Sequence, residues 1–198
     1  MRKLLLTCWL LLLAGGICYL FWHNEWKYSL PTPVPANYNA VNIGQQIPIH
    51  EKMSTTGKPL FIHFFNPQCP CSRFNAPHFN SLVRKYGKEI DFKVVVTKGA
   101  EGFTPQQIQD KFDFTVPVSF DSSIAGICGV YSTPQAVIID TDNKLFYRGN
   151  YNRARYCTDT KSNYAQMAVE SLLNHETNPL FSQYALKAYG CQVALCTK

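Results

Sequence analysis

The hydrophobic pattern opens with a continuous apolar run, Leu4–Trp22, directly after the basic start Met1–Lys3. A helix of this length just crosses a hydrocarbon core of about 30 Å. Basic flanking residues stay in the cytoplasm, which puts the rest of the chain outside it. A signal peptide would have a shorter apolar region with an A-x-A-like end, and a lipoprotein cysteine would follow a small residue, whereas Cys18 follows Ile17. The pattern favours residues 1–27 as a cytoplasmic stub and uncleaved anchor, with cleavage or lipidation as alternatives.

A proline-rich stretch follows the apolar run. Leu30–Pro35 has proline at every second position, which excludes a regular helix and favours an extended, stiff spacer. We therefore predict a linker over residues 28–43 and a folded domain over residues 44–198. The apolar positions within Pro179–Tyr189 share one helical face, so the domain is expected to end in a docked helical tail.

Within the domain, short apolar runs alternate with segments of helical periodicity. Such runs are typical of buried strands. Thr104–Pro105 supplies a helix cap followed by proline at the first helical position. Predicted strands are 60–65, 91–97, 136–140 and 145–148, with a short extended piece at 116–120. Predicted helices follow Cys69, with an interruption at Pro77, begin at Thr104, and lie within 122–131 and 163–173. Strand, helix and strand followed by a hairpin and a helix predict a mixed α/β fold.

Composition narrows the function classes. The net charge of +6 is spread along the chain, and no basic run points to nucleic acid, so no nucleic-acid partner is predicted. Eight cysteines are many for 198 residues. Six of them lie beyond the apolar run, an even set that suits an oxidising compartment. No paired CxxC spacing for a metal occurs and no cofactor motif is present, so neither a bound metal nor a cofactor is predicted.

The cysteine pair Cys69 and Cys71 directly follows the predicted strand Leu60–Phe65. In a parallel α/β unit, the turn from strand to helix lies at the edge of the sheet where ligands gather. A cysteine there faces a helix N-terminus, whose dipole favours the thiolate. The thiolate is the nucleophile in disulfide exchange, so this turn is the candidate catalytic site.

These residues carry a family resemblance. Leu60–Cys71 resembles the strand-to-active-site stretch of thioredoxin-like proteins, and is most similar to their membrane-anchored redoxin and cytochrome-maturation branches. Tyr131–Asp140 resembles the segment that holds the family's cis-proline, here Pro134. The resemblance spans residues 44–173 and implies a thioredoxin-like fold, with a central mixed sheet flanked by helices. It also implies that Thr133 and Pro134 line a groove for a partner protein.

The resemblance further implies roles within the cysteine turn. The family has a helix proline five residues after the second active-site cysteine, and here Pro77 lies five after Ser72. Cys69 then takes the nucleophile's place and Ser72 that of the resolving cysteine, with Cys71 between them. Cys71 either forms a small, strained ring with Cys69 or points elsewhere while Cys69 acts with a distant partner. A purely structural role for both cysteines is the remaining alternative.

The other cysteines are candidate disulfide partners, with a pairing that spacing cannot determine. Cys128 precedes Pro134 by six residues and could approach the site, but a structural bridge, for example to Cys157, is favoured. Cys191 and Cys196 either bridge each other or fix the tail. The stretches Arg148–Arg153 and Tyr189–Cys191 resemble an uncharacterised thioredoxin-like family, which implies no activity.

Two histidines and three arginines are further candidates for functional residues. We expect His63 and His78 to be structural histidines with their hydrogen bonds satisfied. Arg148, Arg153 and Arg155 are expected to form a solvated or salt-bridged face, with an anion or partner site as the alternative.

Two functional classes follow. The first is a membrane-tethered periplasmic oxidoreductase that exchanges disulfides with a partner protein through a mixed disulfide on Cys69. A peroxidase is disfavoured because Ile62 and Asn66 occupy the proline and threonine positions of its signature. The second class is a soft-metal module that binds an ion such as Cu(I) through Cys69 and Cys71. A redox-inert interaction protein is a weaker third option.

Overall fold

A computed structural model describes residues 1–26, 29–54, 56–97, 101–176 and 181–193. The chain forms two compact units, Met1–Leu30 and Pro31–Lys198. In the first unit, helix α1 (Arg2–Phe21) continues into a π-helical turn, Trp22–Trp26. The continuous helical segment Arg2–Trp26 has 25 residues and contains a window with a mean hydropathy of 2.3. It is therefore long and apolar enough to be a membrane anchor or a signal sequence.

A five-stranded mixed sheet forms the centre of the second unit, in the order β3-β2-β1-β5-β6. Strands β1 and β2 run parallel, as do β2 and β3, whereas β5 is antiparallel to both β1 and β6. The strands are β1 (Leu60–Phe65), β2 (Asp91–Val96), β3 (Val118–Ser119), β5 (Gln135–Ile139) and β6 (Leu145–Gly149). Every residue of β1 and β5 is buried, as their continuous apolar runs predicted. The predicted α/β class is confirmed.

Helices pack on the sheet, which separates two cores. They are α2 (Pro70–Tyr86), α3 (Pro105–Phe112), α4 (Ser123–Ile127), α5 (Tyr164–Leu173) and α6 (Gln183–Leu186). Thr104 and Gln107 cap α3 reciprocally, which confirms the predicted start of that helix. One core, which includes Phe61, Phe79 and Tyr151, is rich in aromatic residues. The other, on the opposite face of β1, is mainly aliphatic.

Pro77 lies inside α2 without ending it. The sequence predicted an interruption at this position, because proline removes a backbone donor. Burial of one helix face in the aromatic core outweighs that loss, and α2 continues to Tyr86.

The proline-rich segment packs against the domain from Pro31 onward and is not a free spacer. Thr32 is buried, and its amide donates to the Ala188 carbonyl at 2.9 Å. The Tyr38 hydroxyl donates to the Gly129 carbonyl at 2.9 Å. An extended backbone has no internal hydrogen bonds, so its polar groups are available for such pairing. The proline-rich stretch, which cannot form a helix, therefore packs along the edge of the domain.

The tail forms less helix than predicted. Only the four residues of α6 are helical within the described part of 179–189, and residues 177–180 lie outside it. Beyond α6, strand β7 (Cys191–Gln192) pairs with strand β4 (Ser132–Thr133) in a separate two-stranded sheet. The chain therefore returns, near its end, to the residues before Pro134.

Candidate functional site

Cys69 lies at the boundary between strand β1 and helix α2. It is the residue that caps the helix, with extended dihedral angles (φ −81°, ψ 120°), and Pro70 begins the helix after it. Its amide donates to the Asn66 carbonyl at 3.0 Å, and the residue is only 2% exposed. A thiolate released here faces the unpaired amides at the start of α2, which favour negative charge.

Cys69 is joined to Cys191 by a disulfide, with an S–S distance of 2.14 Å and a Cα–Cα distance of 6.2 Å. The two cysteines are 122 residues apart in sequence. The sequence does not predict this pair. It leaves Cys71 or an unnamed distant residue as the partner of Cys69, and either a bridge to Cys196 or a role in fixing the tail for Cys191. The resemblance of Tyr189–Cys191 to an uncharacterised thioredoxin-like family was the one available signal.

Thr133 lies directly against this disulfide, and Pro134 follows it in the chain. The Cys69 sulfur is 3.7 Å from the Thr133 carbonyl oxygen. The peptide bond between Thr133 and Pro134 is cis, as the resemblance implied. Thr133 is also the residue opposite Cys191 in the β4–β7 pair, and its hydroxyl donates to the Cys191 carbonyl at 3.4 Å. The structure therefore gathers Cys69, Cys191, Thr133 and Pro134 into one site.

Cys71 points elsewhere. It lies in the first turn of α2, is buried and is not part of a disulfide. The free thiol of Cys157 lies near Cys71 and accepts a hydrogen bond from the side-chain amide of Asn75 at 3.4 Å. Burial, with a smaller contribution from Cys71, raises the pKa of Cys157 to about 12. The small ring between Cys69 and Cys71 is thus absent, and a distant residue is bonded to Cys69 instead.

Ser72, which occupies the usual resolving position, supports the turn. Its hydroxyl accepts a hydrogen bond from the Asn66 amide at 3.2 Å, and its side chain is fully buried. The Asn66 side chain in turn accepts from the Gln68 amide at 2.8 Å. These bonds fix the backbone that presents Cys69.

The bridge favoured for Cys128 does not form, because Cys128 and Cys157 are both free thiols. Cys128 is fully buried in the aliphatic core, across the sheet from the aromatic core that Cys157 contacts. Burial raises the pKa of Cys128 to about 12, although Arg148 acts in the opposite direction. Of the two alternatives for Cys191, a bridge to Cys196 or fixing of the tail, the bond to Cys69 fits the second, and Cys196 lies outside the described residues.

The two histidines lie in or beside the aromatic core. His63 is fully buried, stacks on Phe79 and bonds the Tyr151 hydroxyl through Nδ1 at 2.7 Å. Burial, with a smaller repulsion from His78, lowers the pKa of His63 to about 3. Burial also lowers the pKa of His78. Among the residues that the structure describes, the Nε2 of each histidine has no hydrogen-bond partner, in contrast to the expectation that both are satisfied.

The three arginines do not form one face. Arg148 donates to the carbonyls of Val41 and Cys128 at 2.7 and 3.3 Å. Arg153 stacks over the Tyr184 ring, and Arg155 lies over Phe74. Each side chain has its own protein partner, so the structure does not bring them together as an anion site.

Among the residues that the structure describes, no group of three or more His, Cys, Asp or Glu side chains is arranged to hold a metal ion. Of the two cysteines considered for Cu(I), Cys69 is already bonded to Cys191, and Cys71 points into the interior. The arrangement of Cys69 and Cys191 is suited to disulfide chemistry.

Comparison with known proteins agrees with the fold. A family model described as a domain of unknown function (DUF6436) matches residues 39–195. The search of curated proteins found no match. The fold of the chain is similar to that of a hypothetical protein from Sinorhizobium meliloti 1021 (17% identity, TM-score 0.61), covering 79% of this chain and 96% of that one.

Two further solved structures are similar to this chain. An uncharacterised conserved protein from Geobacillus kaustophilus has 18% identity and a TM-score of 0.64, covering 84% of this chain and 100% of that one. A thiol:disulfide interchange protein of the thioredoxin family from Chlorobium tepidum has 14% identity and a TM-score of 0.45, covering 59% of this chain and 81% of that one. Identities this low bear on the fold alone. The thioredoxin-like α/β fold predicted from the sequence is confirmed.

Proposed function

The chain belongs to the DUF6436 family, a domain of unknown function, and we propose that it is a membrane-tethered thiol–disulfide oxidoreductase. In this proposal Cys69 exchanges disulfides with a partner protein through a mixed disulfide. The observation that carries the proposal is the disulfide of Cys69, which joins the capping residue of α2 to a cysteine from a distant part of the chain.

The surroundings of Cys69 support this chemistry. When the disulfide opens, the Cys69 sulfur is left at the N-terminus of a 17-residue helix. The helix dipole stabilises the thiolate there, and a stabilised thiolate is both the attacking species and a good leaving group. Thr133 borders the sulfur, and in this proposal Thr133 and Pro134 form the wall against which a partner segment docks.

The cellular setting of the proposal comes from α1. Positive charge at Arg2 and Lys3 precedes the apolar helix, which favours retention of the N-terminus in the cytoplasm. The domain then faces the periplasm or the cell exterior, on an inner or cell membrane crossed once. Disulfides persist in that oxidising environment.

Thiol trapping of the full chain tests the proposal. Cells or membranes are quenched with acid, alkylated and analysed by mass spectrometry, with wild type compared with Cys69→Ser. We expect Cys69 to switch between bonded and alkylated forms as the redox conditions change, and mixed disulfides with other proteins to require Cys69. A Cys69 that stays in one state under both reducing and oxidising conditions would exclude the proposed function.

A further inference from the structure

Strand β7 delivers Cys191 to the site as an extended strand. Ser132 pairs with Gln192 and Thr133 with Cys191 in an antiparallel register. The Val193 amide donates to the Tyr131 carbonyl at 2.9 Å, which extends the pairing by one residue. The backbone edge beside Pro134 is therefore occupied by the same short segment whose cysteine is bonded to Cys69.

The approach of this segment depends on a glycine. Gly190 adopts φ +135°, and a Cβ at this position would overlap the Thr133 carbonyl oxygen. The Thr32 hydroxyl bonds that of Ser132 at 2.7 Å and donates to the Gly190 carbonyl at 3.3 Å. The sequence is thus built to let the tail lie directly on β4.

The residues before β7 are held independently of the disulfide. The Asn150 side-chain amide donates to the carbonyls of Tyr184 and Lys187 at 2.8 and 2.6 Å. The Asn150 backbone amide donates to the Ala185 carbonyl at 2.8 Å. Ala185 is fully buried. Opening the disulfide leaves these bonds in place, so Cys191 stays tethered near Cys69 at a high effective concentration.

From these contacts we propose that Cys191 is the resolving cysteine of Cys69. Strand β7 leaves the Ser132–Thr133 edge to admit an extended, cysteine-bearing segment of a partner protein, and then returns to expel it. The proposal rests on the proposed function. It assigns to the tail the role that the spacing of a thioredoxin-like site would give to position 72, where this chain has serine.

The exchange balances as two substitutions at sulfur. In the reduced protein, the Cys69 thiolate attacks a partner disulfide, forms a Cys69–partner bond and releases the partner's other sulfur as a thiolate, which takes a proton. The Cys191 thiolate then attacks the Cys69 sulfur, forms the Cys69–Cys191 bond and releases the partner's remaining sulfur, which takes the second proton. The partner disulfide gains two electrons, and the Cys69–Cys191 dithiol loses them. A dithiol reductant restores the reduced protein, and every step is reversible.

The test uses the reduced full chain in detergent and a fluorescent cysteine peptide dimerised through its disulfide. Wild type is expected to release two equivalents of peptide thiol and to keep no adduct. Cys191→Ser is expected to release one equivalent and to retain a peptide on Cys69 at least tenfold longer. The matched control Cys71→Ser, which removes the nearer thiol, is expected to behave as wild type.

A second variant keeps both thiols and changes only the strand. Gly190→Val places a side chain against Thr133, and we expect the peptide adduct on Cys69 to be resolved at least tenfold more slowly. Resolution at the wild-type rate would overturn the strand-return step.

Two outcomes separate this inference from the proposed function. An adduct trapped by Cys71→Ser but not by Cys191→Ser overturns the role of Cys191 and leaves Cys69 as the nucleophile. If Cys69 forms no adduct in any variant, the proposed function fails as well.

Discussion

Two cysteines separated by one residue have opposite environments in this protein. Cys69 precedes helix α2 and is bonded to a strand that arrives from the tail, whereas Cys71 lies inside the first turn and points towards the interior near Cys157. A helix turns by about 100° per residue, so one intervening residue is enough to move a side chain from the site to the core. Position relative to the helix start, more than the residue type, sets what each thiol can do.

Stability gives the largest contrast between the two environments. The Cys69–Cys191 bond closes a loop of 122 residues, so its reduction is expected to lower the free energy of unfolding by about 5 kcal/mol through the entropy of the unfolded chain. Cys71 and Cys157 are not disulfide-bonded and close no loop. Urea unfolding with and without dithiothreitol measures the difference. Cys191→Ser should lose the dependence on reductant and Cys157→Ser should keep it; a wild-type midpoint that ignores reductant would contradict the prediction.

The alkylation rate of Cys157 tests the environment of the interior thiols. With its pKa raised to about 12, Cys157 is expected to react with iodoacetamide at pH 8 about a thousandfold more slowly than an ordinary exposed thiol. The rate should rise about tenfold for each pH unit between 8 and 10, because the thiolate fraction does. Mass spectrometry of the folded chain follows the modification, and the same cysteine in urea serves as the control. Equal rates in the folded and unfolded chain would contradict the assigned environment.

Exchange activity is the direct functional contrast. Cys69→Ser is expected to reduce the rate of peptide-disulfide reduction by about a hundredfold or more, since serine does not form a disulfide. Cys71→Ser should change it by less than about threefold. The assay follows release of the fluorescent peptide thiol from the full chain in detergent. A comparable loss in both variants would mean that the two thiols act together, which would break the comparison.

The smallest effect concerns the buried His63 on the interior side. Its pKa of about 3 in the folded chain lies below the ordinary value of 6.5, so the unfolded chain binds a proton first as the pH falls. Stability is therefore full above pH 6.5 and decreases towards pH 3, by up to about 1.4 kcal/mol per pH unit for this proton. His63→Gln should flatten the pH dependence of urea unfolding between pH 7.5 and 5.

The exposed His175 provides the matched control for that experiment. His175→Gln should leave the slope unchanged. The lowered pKa of His78 leaves a residual slope in the His63 variant, so complete flatness requires both changes. A wild-type slope retained in His63→Gln would show that His63 is charged in the folded chain.

Local pattern was sufficient for the central sheet. Strand β1 matches its predicted limits, and β5 is displaced by one residue, because fully buried strands have continuous apolar sequences. The helix interrupted at Pro77 in the prediction is continuous because tertiary packing outweighs a local preference.

Only part of the candidate site could be predicted from the sequence. Cys69, Thr133 and Pro134 follow from a strand-to-helix turn and a family motif, both of which are local in sequence. Cys191 required knowledge that the tail returns to β4, a contact between residues 58 apart. Short strands such as β4 and β7 carry almost no periodicity, and cysteine spacing does not determine connectivity.

The span of the Cys69–Cys191 disulfide also sets an order in time. During synthesis, Cys71, Cys128 and Cys157 all emerge before Cys191, so three other thiols are available to Cys69 before its native partner is. In the folded domain Cys71 and Cys128 are buried, which removes two of these competitors. The native disulfide therefore cannot form until the tail has been synthesised, and burial of the earlier thiols favours it over the alternatives.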